Sequence, residues 1–154
     1  MADIHVLSKY NEIADSAKSD GGPFRQLAEF YCFCAHLAFI KGGKVPEVKI
    51  SSKEDRQVRD TVLNNAEYKN QIDTLALAVT KDYTILMETD EAISKRYKIF
   101  QNYVNHGLKL ISQRRKKLPT DINGLDTVLE ILREQSAQNK KINPVNELDP
   151  DVKF

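Results

Sequence analysis

Residues 89–117 read TDEAISKRYKIFQNYVNHGLKLISQRRKK, the most regular apolar pattern in the chain. The apolar side chains recur at steps of three and four, at Ile93, Tyr97, Phe100, Val104, Leu108 and Ile111. Such steps place side chains on one face of an α-helix. Thr89 or Asp90 is expected to cap the helix start, and the basic residues that close the stretch suit the carbonyl end of its dipole. The stretch therefore predicts a long amphipathic helix, which Pro119 stops.

The same criterion predicts further helices on both sides of this one. They cover roughly residues 4–18, 23–41, 55–63, 72–87 and 123–135. The helix at 23–41 is apolar around most of its circumference, so it is expected to be central. Asp121 is the candidate cap of the last helix.

The remaining segments lack helical periodicity. Residues 44–52 alternate apolar and polar side chains, which is typical of a short extended segment, but a single strand has no partner, so no sheet is expected. Residues 136–154 are expected to form a flexible C-terminal tail, with Val152 and Phe154 as potential docking residues. The sequence thus predicts a mainly α fold: a compact bundle of five or six helices over residues 1–135, followed by the tail.

Composition excludes several classes of protein. The chain has 154 residues, of which 41% are hydrophobic and 29% charged, which fits one globular domain and not a disordered one. Its 23 basic and 22 acidic side chains create no global field toward nucleic acid or acidic membranes. The N-terminus lacks the pattern of a secretory signal, and the longest apolar stretch is about half a membrane span. A cytoplasmic protein without membrane contact is expected.

No motif for catalysis is present. The glycine pairs lack the spacing of phosphate-binding loops, and the serine elbow and the zinc-protease signature are absent. Cys32 and Cys34 lie within a helical pattern and point apart, so two small core residues is a better interpretation than a metal site with His36. Glu88, Asp90 and Glu91 could be read as a magnesium site, but helix-start acidity explains them without metal. No cofactor and no metal are expected.

Two residues on the long helix invite a functional interpretation. His106 could act as a general base, because imidazole titrates near neutrality, but no nucleophile is placed beside it by sequence and a structural role is favoured. Gly107 costs about 1 kcal/mol in a helix relative to alanine, so close helix packing or a bound partner is expected there.

A basic cluster gives the only direction toward a ligand. It comprises Lys109, Arg114, Arg115, Lys116 and Lys117, with Lys95, Arg96 and Lys98 further back on the helix. Basic side chains on a shared face could contact DNA phosphates. The simpler alternative is a solvated helix end, because four consecutive residues fan around the whole helix.

Three stretches resemble a known family: FYCFCAHLAF at residues 30–39 followed by Lys41-Gly42-Gly43, IDTLALA at 72–78, and YKIFQNYVNHGLKL at 97–110. Together they resemble the small accessory proteins associated with bacterial DNA phosphorothioation (Dnd) systems, over roughly residues 24–111. Here Phe39-Ile40 stands where the family pattern has a glycine-containing turn. The resemblance implies an accessory factor beside the machinery that places sulfur in the DNA backbone or restricts DNA lacking it, and it assigns no catalytic residues.

Three functions therefore remain open. The first is a non-enzymatic accessory protein of a DNA phosphorothioation-linked antiphage defence system, which binds DNA or a DNA-bound complex through the basic cluster. The alternative is a homo-oligomeric protein-interaction module without nucleic-acid contact, using an exposed apolar face near Tyr103 and Gly107. An enzyme would require a concave pocket with titratable groups around His106.

Overall fold

The computed structural model describes residues 3–50 and 53–142. Its elements are β1 (Ile4–Val6), α1 (Asn11–Lys18), α2 (Leu27–Lys41), β2 (Arg56–Val58), α3 (Asp60–Leu63), α4 (Ala66–Thr80), α5 (Asp90–Arg115) and α6 (Leu125–Ile142). Short 3-10 helices lie at Ser8–Tyr10 and Tyr83–Leu86. In these residues, six helices and one small sheet confirm the predicted mainly α fold.

Helix α5 forms the axis of the molecule and matches its prediction. Thr89 caps it, since its hydroxyl oxygen accepts a hydrogen bond from the backbone N–H of Ala92 at 3.2 Å. The apolar stripe is buried along the helix, with Phe100, Val104 and Leu108 at or near zero exposure. Of all pairs of elements, α2 and α5 have the most extensive contact. The stripe of α5 therefore builds the core against α2.

Helix α2 is the central helix, as predicted. Its buried side chains cover most of its circumference: Ala28, Phe30, Tyr31, Cys32, Cys34, Ala35, Leu37 and Ala38. It begins at Leu27 rather than near Pro23, because the N–H of Phe24 bonds back to the carbonyl of Ala17 at 3.1 Å and keeps this segment in a turn. The Phe24 ring still packs on Phe30, 5.2 Å between centroids.

The two strands correct the prediction of no sheet. β1 pairs antiparallel with β2, with Ile4 opposite Val58 and Val6 opposite Arg56. The sequence predicted helix in both places. Side chains of α5 stabilise the strand instead: Gln101 accepts from the N–H of His5 at 2.8 Å, and Asn105 donates to the carbonyl of His5 at 3.0 Å. Contacts almost a hundred residues away thus satisfy the backbone groups that a local helix would have satisfied.

Residues 44–50, the predicted extended segment, form neither helix nor strand. They lie on α5, where the Asn102 side chain accepts from the N–H of Val48 at 3.0 Å. Two helix boundaries differ from their predictions. Helix α4 starts at Ala66 and ends at Thr80, because Lys81 takes a left-handed conformation with φ of 53°. Helix α6 continues to Ile142, past its predicted end, and the rest of the expected tail lies outside the described residues. The division into a domain and a tail stays a prediction.

The loop between α5 and α6 is organised by Asp121, the predicted cap. Its buried carboxylate accepts from the N–H and the hydroxyl of Thr127 at 2.8 and 2.5 Å, and from the N–H of Asp126 at 3.3 Å. Burial alone would raise the pKa of Asp121, but these hydrogen bonds outweigh it and hold the pKa below its usual range. The charged carboxylate therefore stabilises the start of α6.

Because the folded pKa of Asp121 is lowered, its contribution to stability is present above the ordinary carboxyl pKa and lost as the pH falls through the lowered one. We expect Asp121→Asn to lower the free energy of unfolding at pH 7 by about 1–2 kcal/mol, because the cap loses its charge. The deficit is expected to shrink as the pH falls below the ordinary carboxyl pKa. Urea unfolding at several pH values measures it, and a deficit independent of pH would contradict this role.

Candidate nucleic-acid interface

Three lysines of the predicted basic cluster remain available at the C-terminal end of α5. Lys109, Lys116 and Lys117 are exposed, and none forms an ion pair within the described residues. Lys109 and Lys116 are seven residues apart, so they share one face of the helix about 10 Å from each other along its axis. Lys117 follows directly in the first turn of the loop. These three residues are called the lysine patch below.

Arg114 does not belong to this patch. Its guanidinium forms a close ion pair with Glu134 and a longer one, 3.9 Å, with Glu130. The hydrogen bond from Arg114 lowers the pKa of Glu134 and Glu134 in turn raises that of Arg114, so both groups stay charged. Arg114 therefore fastens α6 to α5, and its predicted role in phosphate contact stays a prediction.

Arg115 is occupied as well. Its Nε donates to the carbonyl of Asp121 at 3.3 Å and its Nη2 to the carbonyl of Ile122 at 2.6 Å. These bonds satisfy backbone oxygens in the loop that leads to α6. Arg115 thus holds the loop, and its predicted role in phosphate contact also stays a prediction.

A groove beside the lysine patch brings in a residue that the sequence did not single out. The groove has a volume of about 260 Å³ and lies between α2, α5 and α6, with a floor of Leu37, Leu110 and Ile131. Lys41, from the last turn of α2, and Lys117 both line it. Both lysines also lower the pKa of Glu134. Lys41 therefore adds a fourth cation from another helix, which spacing along α5 could not reveal.

The basic residues further back on α5 do not extend the patch. Arg96 is buried, with 2% of its surface exposed. Lys98 pairs with Glu47 at 2.6 Å, within the loop that covers this part of the helix. A continuous basic stripe along α5 is therefore excluded.

The two residues of the predicted apolar face, Tyr103 and Gly107, lie in different surroundings. The Tyr103 ring is half-buried and lies 6.4 Å from that of Phe39, which is 41% exposed. Gly107 is buried instead, and a Cβ built on it would meet the carbonyl oxygen of Cys34 at 1.9 Å. Gly107 thus belongs to the contact between α2 and α5, not to an exposed face. Self-association through Tyr103 stays a prediction.

The other residues that the sequence singled out for possible chemistry are His106, Cys32 and Cys34. Burial and the nearby Lys109 lower the pKa of His106, so its imidazole is neutral at pH 7. Burial raises the pKa of the Cys32 thiol to about 12 and that of Cys34 well above its usual value, so neither is a thiolate. Within residues 3–50 and 53–142, His, Cys, Asp and Glu side chains form no group of three that could hold a metal ion, and every helix falls short of a membrane span in length or apolar character.

Comparison with known proteins gives one match. The model of a family described as DNA sulphur modification system-associated protein 4 matches residues 6–149. Neither the curated proteins nor the solved structures contain a match. The match covers nearly the whole chain and confirms the resemblance to Dnd accessory proteins that residues 24–111 suggested.

Proposed function

This chain belongs to the family of DNA sulphur modification system-associated protein 4, and we propose that it is a non-enzymatic accessory protein that binds DNA, or a DNA-bound complex, through its lysine patch. In this proposal it works in the cytoplasm of a bacterium, beside the machinery that places sulfur in the DNA backbone or restricts DNA without it. The family's association with DNA sulphur modification supplies the context, and the lysine patch supplies the contact.

One observation carries the proposal: within the described residues, Arg114 and Arg115 have ion-pair or hydrogen-bond partners, while Lys109, Lys116 and Lys117 form no ion pair. Arg114 and Arg115 bind carboxylates and carbonyls of the α5–α6 region, which fixes the framework. Lys109, Lys116 and Lys117 are left exposed on that framework without ion pairs in the described residues. Exposed lysines at a helix end are suited to phosphates, because binding releases counterions.

The proposal predicts weak, salt-dependent binding without sequence preference. Lysine contacts a phosphate as a point charge and does not read base edges. The net charge of the whole chain is +1, so attraction must come from the local cluster. Lys41 across the groove strengthens that cluster. We expect a dissociation constant for duplex DNA in the range of about 1–100 μM near physiological salt.

A gel-shift experiment with labelled duplex DNA tests the interface. Replacement of Lys109, Lys116 and Lys117 by alanine is expected to weaken binding at least about tenfold, because three phosphate contacts are lost. The matched control replaces Lys53, Arg59 and Lys95 by alanine. It removes the same charge, but Lys95 lies about 21 Å before Lys109 along α5.

The two triple variants together distinguish binding through the lysine patch from a general effect of net charge. Binding lost in the lysine-patch variant and kept in the control supports the proposal. Equal affinity in the wild type and the lysine-patch variant would remove it, and equal losses in both variants would reduce it to an effect of net charge. Circular dichroism of each variant confirms that the helices are intact.

A further inference from the structure

Helix α6 has a second apolar face in addition to the one that packs on the domain. Val128 and Ile131 point inward and are buried. Leu125, Leu129 and Leu132 are 36%, 38% and 50% exposed, and Ile122, just before the helix, is 84% exposed. A surface helix of a globular domain usually carries one apolar stripe. The outer part of this second stripe is thus left uncovered by the described residues.

The spacing of these leucines is that of a helix-pairing seam. Steps of four and then three put Leu125, Leu129 and Leu132 on one narrow stripe, as at the a and d positions of a coiled coil. The stripe lies roughly 120° around the helix from the buried face. Residues 136–139 are all exposed, so the helix continues beyond its contacts with the domain. The leucine face, meaning these three leucines, is therefore partly exposed along its length in the described part of the chain.

Two charges on one flank of the leucine face indicate what covers it. Asp126 and Arg133 directly follow Leu125 and Leu132, are exposed, and form no ion pair within the described residues. They are seven residues apart and so lie on the same side of the helix. Leu129 lies between them. A second helix laid antiparallel across Leu129 would bring its Arg133 opposite this Asp126 and its Asp126 opposite this Arg133.

We propose that two copies of this chain associate through antiparallel pairing of their α6 helices across the leucine face. A two-fold axis near Leu129 makes the pairing self-complementary, because each contact between one residue and another occurs twice. In a parallel pair, by contrast, this flank would face the opposite flank of the partner helix, and the two Asp126–Arg133 pairs would not form. The small leucine face suits a dimer with a dissociation constant on the order of 10 μM.

Sedimentation velocity over a range of concentrations tests the dimer. The wild type is expected to move from one to two copies of the 17.6 kDa chain as its concentration rises. Leu129→Glu is expected to remain a monomer, because it places charges at the centre of the seam. Val62→Glu is the matched control: Val62 is an apolar residue that is 50% exposed, compared with 38% for Leu129, but it lies on α3. Its dimerisation should match that of the wild type.

A charge exchange tests the orientation and does not depend on the leucines. Asp126→Arg alone and Arg133→Asp alone are each expected to weaken the dimer about tenfold, because like charges then face each other across the seam. The double variant restores the opposite pairs and is expected to dimerise like the wild type. A wild type that stays monomeric at about 200 μM, twenty times the expected dissociation constant, would overturn the proposal. So would a Leu129→Glu protein that still dimerises, or a double variant whose dimer is no tighter than those of the single variants.

Discussion

Replacement of Gly107 by alanine is expected to lower the free energy of unfolding by about 3 kcal/mol. The added Cβ would lie 1.9 Å from the carbonyl oxygen of Cys34 and 2.4 Å from its carbonyl carbon. These are backbone atoms of α2, so no flexible side chain can move aside and the two central helices must separate. Urea unfolding followed by circular dichroism measures the loss.

The expected loss of stability is diagnostic of close helix packing, because glycine to alanine has the opposite effect in an isolated helix. In a helix that is free of other contacts, glycine to alanine stabilises by about 1 kcal/mol. Ser94→Ala on the exposed side of α5 serves as the control and is expected to change stability by less than about 0.5 kcal/mol. A Gly107→Ala protein as stable as the wild type would show that α2 and α5 do not approach closely at this point.

Replacement of Arg96 by methionine is expected to cost about 3–5 kcal/mol of stability. The buried guanidinium of Arg96 lies 3.0 Å from the carboxylate of Asp73 and donates to the carbonyls of Ile85 and Met87 at 2.6 and 3.0 Å. Methionine fills a similar volume but leaves the carboxylate and both carbonyls without this donor. Helix α4, the 3-10 helix at Tyr83–Leu86 and α5 would lose the side chain that connects them.

Lys95→Met provides the matched control for this substitution. Lys95 is the exposed neighbour of Arg96. Its replacement by methionine also removes one positive charge from α5, but it removes no buried contact. Its stability is expected to stay within about 0.5 kcal/mol of the wild type. Equal midpoints of denaturant unfolding for the Arg96 and Lys95 variants would contradict the structural role of Arg96.

The helices could be predicted where apolar spacing is regular, and the strands could not. The stripe from Ile93 to Ile111 repeats at helical pitch over five turns, so local pattern and tertiary burial agree. At Ile4–Val6 the pattern is too short to separate strand from helix, and the deciding partners are Gln101 and Asn105. Those contacts depend on how the chain folds back, which periodicity does not encode.

The sequence predicted where the basic cluster lies but not which of its members have partners in the fold. The cluster lies at the end of α5, where Lys109, Lys116 and Lys117 are exposed and the two arginines are held by α6 and its loop. Arg114 pairs with Glu134 because α6 returns beside α5. Arg115 donates to the carbonyls of Asp121 and Ile122 in the loop that leads to α6. Arg96 looked like one more surface cation beside Lys95, yet it is buried against Asp73. Lys41 was missed because it belongs to another helix.

The salt dependence of DNA binding tests the central claim most directly. Fluorescence anisotropy with a labelled duplex gives the binding constant of the wild type and of the Lys109, Lys116 and Lys117 alanine variant at several salt concentrations. If the three lysines each contact a phosphate, the slope of log K against log salt is about 2.7 units shallower in the variant, or about 0.9 for each lost contact. Equal slopes for the two proteins, or no binding by the wild type at low salt, would contradict the account.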